Sequence, residues 1–363
     1  MKYDVIVVGL GVMGASALSC LARSGARVLG LDQFAPPHDR GSSHGETRLL
    51  RVAYAEGAAY VPMAQRSIEL WRALERRTGE NLFNQSGVAY FGAPDTEWLI
   101  GLQDSAHRHG IALGEAKAPL FDVPEGWLRI FEPDAGFLAA EPSVAAFLKD
   151  ARRHGASVKT RAHLVSFERD GSAIRVRTSR GGFSGDRVIL CLGVWSRRHL
   201  PFLRKLRLEQ RVLHWYEASD RFDLANGFSP FVVSPRDDVV LYGFPRAGGA
   251  VKLAQHHFGM PIRDPSLVGR EISAAEFSHV GDLVRRYVPA LGPRMRSKAC
   301  MYMLSPDEHF ILDRHPFMRG VYFLAGLSGH GFKFAPVLGE ALANFALDRR
   351  QEVDVKFFSL KRF

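Results

Sequence analysis

The chain opens with a strand-length apolar run at 4–8 (DVIVV) that ends in Gly9-Leu10-Gly11-Val12-Met13-Gly14. Behind the glycines the period changes. The stretch ASALSCLARSG carries apolar residues at helical spacing as far as Gly25, and 27–31 is a second strand that closes on Asp32. Strand, glycine turn, helix, strand and acid predict a dinucleotide-binding βαβ unit. Gly9 permits the tight turn, Gly11 lets the backbone approach a pyrophosphate, and Gly14 lets helix and strand pack closely. The helix N-terminus presents unpaired N–H groups to phosphate, and Asp32 is placed to accept from ribose hydroxyls.

Beyond Pro36-Pro37 lies a loop at 41–51 (GSSHGETRLLR), then a predicted helix over 60–77 and a strand at 87–92. Residues 84–142 read as a different structural context, and 143–155 as a helix. Three short strands follow, HLVSFER, AIRVRTS and RVILCLG, separated by turns at Asp170-Gly171 and Gly181-Gly182. A meander between dinucleotide-binding elements is unusual for nicotinamide enzymes and points to flavin. From 205 to 307 the chain is strand-rich (HWYEAS, FVVS, VVLYGF, LAQHHFG) with one helix, AAEFSHVGDLVRRYV. The segment GVYFLAGLSGHGFKFAPVLGEALANFAL then returns to strand, glycine turn and helix. The expected fold is α/β: a Rossmann-like FAD-binding domain, discontinuous over 1–83, 143–204 and 308–363, with an inserted β-rich α+β substrate domain at 84–142 and 205–307.

Composition agrees with two domains, since 363 residues exceed what one core holds. No apolar run approaches a membrane span. Cys20, Cys191 and Cys300 are odd in number and far apart, and no export-signal pattern is visible, so a reducing, cytoplasmic setting is expected. The net charge of +10 is dispersed in pairs such as Arg76-Arg77, Arg152-Arg153 and Arg197-Arg198. This is the pattern of a solvated surface, with attraction of an anion into a cleft left open.

Read alone, Cys300 in SKACMYMLSPDEHF is a small buried apolar residue or a reactive thiol. The wider pattern decides between them. VIVVGLGVMG, PPHDRGSSHGETRLLRVAYAEGAAYVP, LYGFP, VKLAQHHFG, ACMYMLSPDEHF and SGHGFKF together, from one end of the chain to the other, resemble the monomeric sarcosine oxidase and N-methyltryptophan oxidase family, FAD-dependent amine oxidases of the D-amino-acid oxidase superfamily.

The resemblance implies FAD attached covalently at Cys300, through a thioether to the flavin 8α-methyl group, with Lys298 and Arg296 either favouring the thiolate as nearby cations or simply exposed. Cys20 and Cys191 are expected in the core. Arg48 and His44 would flank the flavin ring and stabilise the negative charge it gains with a hydride. Ser43 stands where the family often has a second histidine. Arg51 and Lys333 would hold the substrate carboxylate and disfavour the substrate ammonium. Lys252 would stabilise the superoxide-like state as dioxygen is activated. His256, Tyr242 and Tyr302 are expected around the substrate. Gly329, His330 and Gly331 are expected close to the flavin, and Met13, Ser42, Thr47 and Leu164 complete the expected cofactor contacts. No metal is expected.

The implied activity is oxidation of a secondary amino acid, N-methyl or cyclic, by hydride transfer to the flavin. Dioxygen then reoxidises the flavin to give hydrogen peroxide and an imine. A dehydrogenase with another electron acceptor and a flavin-containing tRNA-binding or modifying protein are the two alternatives. The expected partners are a carboxylate-bearing amino acid and dioxygen, without membrane or nucleic acid, and the expected state is a monomer.

Overall fold

A computed structural model describes residues 2–269 and 274–363. The strand Lys2–Val8 is buried from Val5 to Val8. It lies parallel to Val28–Leu31 on one side and Gly181–Leu190 on the other, so its β-branched run is that of a strand covered on both faces. Helix Val12–Arg23 packs against helices Ala335–Ala346 and Ala140–Arg153. The first contact is close: a Cβ at Gly339 would stand 2.2 Å from Ser16 Oγ.

The expected meander is present as Leu164–Asp170, Ala173–Thr178 and Gly181–Leu190. Its last strand changes partners along its length. Residues 181–185 pair with the meander, whereas Val188, Ile189 and Leu190 pair in parallel with Val321, Tyr322 and Phe323. This joins the meander to the dinucleotide-binding unit in one eight-stranded sheet.

A second sheet of nine strands collects Val88–Gly92, Leu128–Glu132, Arg207–Glu217, Phe231–Arg236, Val239–Gly243, Ala250–Gln255 and Arg294–Leu304, with two short edge strands. Arg294–Leu304 runs antiparallel along nearly all of Arg207–Glu217, which sets Cys300 opposite Arg211.

Two elements differ from the sequence reading. The second half of the 41–51 loop is a strand, Thr47–Leu50, which pairs with Gly136–Ala139 in a small third sheet. Its partner is about 90 residues away, so local periodicity gave no signal. Within 84–142 stands an unanticipated helix, Glu97–His109, with Leu99, Leu102 and Ala106 buried. Its interior Gly101, which argues against a helix locally, is required by packing: a Cβ there would stand 2.6 Å from the carbonyl of Ala55.

Helices Val12–Arg23, Val61–Thr78 and Ala140–Arg153 meet at Asp150, which is 1% exposed. It accepts from Ser19 Oγ at 2.5 Å and Arg77 Nε at 3.2 Å, with Arg23 at 3.5 Å. Hydrogen bonds to a buried charge each contribute about 1.5–3 kcal/mol. The flanking arginines can reach water once Asp150 is gone, so Asp150→Ala should destabilise the protein by about 2 kcal/mol, read as a lower urea midpoint at unchanged slope.

Candidate active site

One large cavity, of about 1320 Å³, is lined by Gly9, Gly11, Met13 and Asp32 of the βαβ unit, by Ser42 and Leu164, and by Arg48, Tyr302, Gly331 and Phe332. Gly9 has a positive φ of 88°, and a Cβ on it would sit 2.3 Å from the carbonyl of Cys191. The Asp32 carboxylate is oriented by the amides of Leu10 at 2.6 Å and Phe34 at 2.7 Å. Ser43 Oγ accepts from Val12 N at 3.1 Å, and Ser42 Oγ donates to the Met301 carbonyl at 2.7 Å. Gly14 lies outside the cavity wall and acts through packing, since a Cβ would meet the Gly9 carbonyl at 1.8 Å. A glycine cradle, a helix N-terminus and an oriented ribose acceptor fit the dinucleotide portion of FAD.

A smaller cavity of about 570 Å³ shares Arg48, Tyr302, Gly329 and Phe332 with the first, and adds Arg51, Glu56, Trp98, Tyr242, His256, His330 and Lys333. Gly329 has φ of 81°, and a Cβ would stand 2.1 Å from the Tyr302 ring, so this turn closes on the tyrosine only as glycine. Tyr302 Oη lies 3.5 Å from His256 Nδ1. Burial pushes the His256 imidazole well down, so that it is neutral at pH 7.

Arg51 is sandwiched between the rings of Tyr54 and Trp98, at 4.9 and 5.0 Å. Its Nη2 pairs with Glu56 Oε1 at 2.8 Å, while its buried Nη1 has no hydrogen-bond partner among the described residues. Burial alone would raise the Glu56 carboxyl, but Arg51 overrides it and holds that group well below the carboxylate range. The segment carrying Arg51 is fixed by buried Glu132, whose Oε1 accepts from the amides of Val52 at 2.6 Å and Ala53 at 2.8 Å. Lys333 Nζ donates to the His330 carbonyl at 2.9 Å and to Tyr54 Oη at 3.2 Å.

Four expected site residues, His44, Thr47, Lys252 and Cys300, line neither cavity and pack behind Arg48. Arg48 donates to the carbonyls of Thr47 at 2.8 Å, Ser42 at 2.9 Å and His44 at 2.5 Å. Its Nη2 is 3.9 Å from Cys300 Sγ. Burial raises the Cys300 thiol, but His44 and then Arg48 outweigh it and bring it down to about 7. Neither His44 ring nitrogen has an aligned hydrogen-bond partner among the described residues. Lys252 Nζ donates to the carbonyls of Gly45 at 2.6 Å and Thr47 at 2.7 Å and lies 4.3 Å from the Phe244 ring centroid.

Two expectations about the cysteines are refined. Lys298 and Arg296 are committed elsewhere, Lys298 pairing with Asp39 at 3.1 Å and Arg296 with Glu46 at 2.5 Å. They stand two and four residues before Cys300, on the same face of the strand, but toward its exposed end, and the cation that acts on the thiol, Arg48, comes from the 41–51 segment instead. Cys191 is buried as expected, yet it stands in the wall of the larger cavity rather than inside a core alone, and burial pushes its thiol up to about 12. The sequence reading also missed Tyr54, Glu56, Trp98 and Glu132. Tyr54 and Glu56 lie inside the quoted RVAYAEGAAYVP motif; no local signal marks Trp98 or Glu132.

Residues 4–345 match the family model described as FAD dependent oxidoreductase. The chain belongs to this family. An N-methyl-L-tryptophan oxidase from Yersinia pestis (strain Pestoides F) is 36% identical over 373 aligned positions, covering 100% of both chains. Among solved structures, NikD, an amino acid oxidase essential for nikkomycin biosynthesis, superposes with a TM-score of 0.85 at 22% identity over 99% of this chain and 97% of its own. L-proline dehydrogenase from P. horikoshii does so with 0.86 at 20% identity, over 100% and 98%. Both show a common fold. The lining of the larger cavity fits the dinucleotide portion of the family's cofactor, and Arg48, Tyr302, Gly329 and Phe332 line both cavities.

Proposed function

We propose that this FAD-dependent oxidoreductase is an oxidase of a secondary amino acid that bears an N-methyl group or a ring nitrogen. The observation that carries the reading is the wall shared by the two cavities. It sets one end of the FAD cavity against a compartment whose Arg51 and Lys333 suit a carboxylate and whose Trp98, Val232 and Val240 suit an apolar side chain. The 36%-identical N-methyl-L-tryptophan oxidase supports an N-methyl amino acid.

Bound flavin supplies the two-electron acceptor and passes the electrons to dioxygen, giving hydrogen peroxide. The protein's part is to bind, orient and set charge. Arg51 Nη1 and Lys333 take the carboxylate, and Tyr302, Tyr242 and His256 enclose the amine. Arg48 supplies positive charge where negative charge develops. Lys252 provides a second cation from behind, which supports an oxygen-using enzyme over a dehydrogenase. Burial and the neighbouring Arg48 push Lys252 well below the usual lysine range, against Glu46, so its charge depends on negative charge arriving nearby.

Cys300, lowered to about 7, is a competent thiolate for covalent attachment. The cofactor is assigned to 1–83, 143–204 and 308–363 and the substrate to 84–142 and 205–307. The two large sheets fall on either side of that division. The enzyme is read as a cytoplasmic monomer, the three free cysteines suiting a reducing compartment.

Acid-precipitated wild type should keep its yellow colour in the pellet, and Cys300→Ser should release it; colour in the supernatant of both disproves the covalent bond. Sarcosine, N-methyltryptophan, proline and pipecolate should be screened for peroxide release. At least one should give peroxide matching the oxygen consumed, and silence across all four would overturn the reading. With the active one, Lys252→Met should slow flavin reoxidation by at least about 100-fold while changing anaerobic flavin reduction far less.

A further inference from the structure

The hydrogen bonds around Lys333 fix more than its position. The Glu308 carbonyl can only accept, so His330 Nε2, 3.0 Å away, carries a hydrogen. Burial pushes the His330 imidazole down to about 4, so at pH 7 it is neutral and its Nδ1 is a bare acceptor. The Tyr54 hydroxyl, 2.7 Å away, therefore donates to Nδ1, and its oxygen is left to accept from Lys333 Nζ at 3.2 Å. A second hydrogen of Nζ goes to the His330 carbonyl at 2.9 Å. With two hydrogens committed to fixed acceptors, one tetrahedral position of Nζ remains, for a lone pair or for a third hydrogen. Lys333 is in the wall of the smaller cavity.

The surrounding charges decide which. Arg51, Tyr54 and Glu56 face Lys333 from the segment after Thr47–Leu50, Glu132 from the strand Leu128–Glu132, and Arg48 and His256 from other parts of the cavity wall. Helix Val61–Thr78 meets the Lys333 carbonyl with neutral donors only, Ser67 Oγ at 2.6 Å and Trp71 Nε1 at 2.9 Å. Glu132 is engaged by Val52, Ala53 and Tyr90, and Glu56 is paired with Arg51 through Oε1, its Oε2 having no hydrogen-bond partner among the described residues, Lys333 included. Burial first, then Arg51, outweigh their pull and hold the lysine at about 7.

We propose that Lys333 rests as the neutral amine and takes the proton that the substrate's ammonium must lose before it can be oxidised. The proposal rests on the carboxylate site described under the proposed function. A secondary amino acid arrives as a zwitterion. Its carboxylate, settling beside Nζ and Arg51 Nη1, stabilises a positive charge on Nζ, while the cations around it disfavour the substrate's own. One N–H bond breaks at the substrate nitrogen and one forms at Nζ; no electron moves in this step, and the complex gains no net charge. The substrate is left with the nitrogen lone pair that drives hydride release. The lysine becomes an ammonium whose third hydrogen meets the carboxylate. The site thus selects ligands that carry both a carboxylate and a removable proton.

Above pH 7 free Lys333 lacks the proton, so a carboxylate without an amine must draw one from solution. Below pH 7 the proton is already present and none is drawn. The test uses the flavin-loaded enzyme, anaerobic, in weak buffer with a pH indicator, and flavin absorbance reports occupancy. Propionate should draw close to one proton per occupied site at pH 8.5 and close to none at pH 6. A secondary amino acid, read before the flavin bleaches, should give no net change at pH 8.5, because the proton arrives with the ligand.

Lys333→Met should abolish the propionate uptake and turn the amino-acid result into release of about one proton. The two wild-type arms decide the matter even if that variant does not bind. Propionate bound without uptake at pH 8.5, or net uptake or release with the amino acid, overturns the proton transfer and leaves the carboxylate site standing. If neither ligand perturbs the flavin spectrum, the carboxylate site itself fails.

Discussion

The backbone of residues 45–53, buried or half-buried except at Glu46, carries polar groups that need partners within the protein. Three side chains from distant parts of the chain supply them. Lys252 donates to the carbonyls of Gly45 and Thr47, and Glu141 accepts from the amides of Gly45 and Glu46, at 2.7 and 3.0 Å. Glu132 accepts from the amides of Val52 and Ala53. Gly45 itself, at φ of 94°, has no room for a Cβ, which would stand 2.4 Å from Leu213. This pinned segment carries Arg48 to the shared wall and Arg51 to the smaller cavity, so the distance between the two cations is set by backbone that cannot slide.

A second consequence is electrostatic. Arg48, Arg51 and Lys333 line the smaller cavity and Lys252 holds the backbone behind Arg48; among the described residues Glu56 is the acid that pairs with one of them directly. Burial first, and then the neighbouring arginines, lower the two lysines, and Arg51 Nη1 has no partner among the described residues. Such a region gains stability when an anion enters. Binding of a carboxylate and the build-up of negative charge during oxidation are thus favoured by the same groups, which is how binding energy is directed toward chemistry.

Much of this was legible in the sequence, and unevenly so. Gly9, Gly11, Gly14 and Asp32 announced the dinucleotide-binding unit because their spacing encodes a local turn whose physics does not depend on the rest of the chain. The meander was legible for the same reason, through its turn residues. Arg51 and Lys333 could be named only through resemblance, since nothing local distinguishes a buried arginine from a surface one. That their guanidinium and amine line one cavity rests on contacts across about 280 positions. Lys252 was placed on a strand as expected, but its partners are backbone carbonyls that no side-chain pattern records. Trp98 and Glu132 were invisible because their roles exist only where helix Glu97–His109 and strand Leu128–Glu132 meet the 51–56 segment.

In the proposed reaction a carboxylate held by Arg51 and Lys333 brings the substrate amine to the wall shared by the two cavities. Anaerobic mixing of the oxidised enzyme with an oxidisable secondary amino acid, and separately with the amine left after its decarboxylation, tests this most directly. The amino acid should bleach the flavin at least about 1,000-fold faster than the amine at equal concentration, the magnitude set by losing a two-cation clamp. Equal bleaching by the two would show that the carboxylate plays no part and would contradict the account.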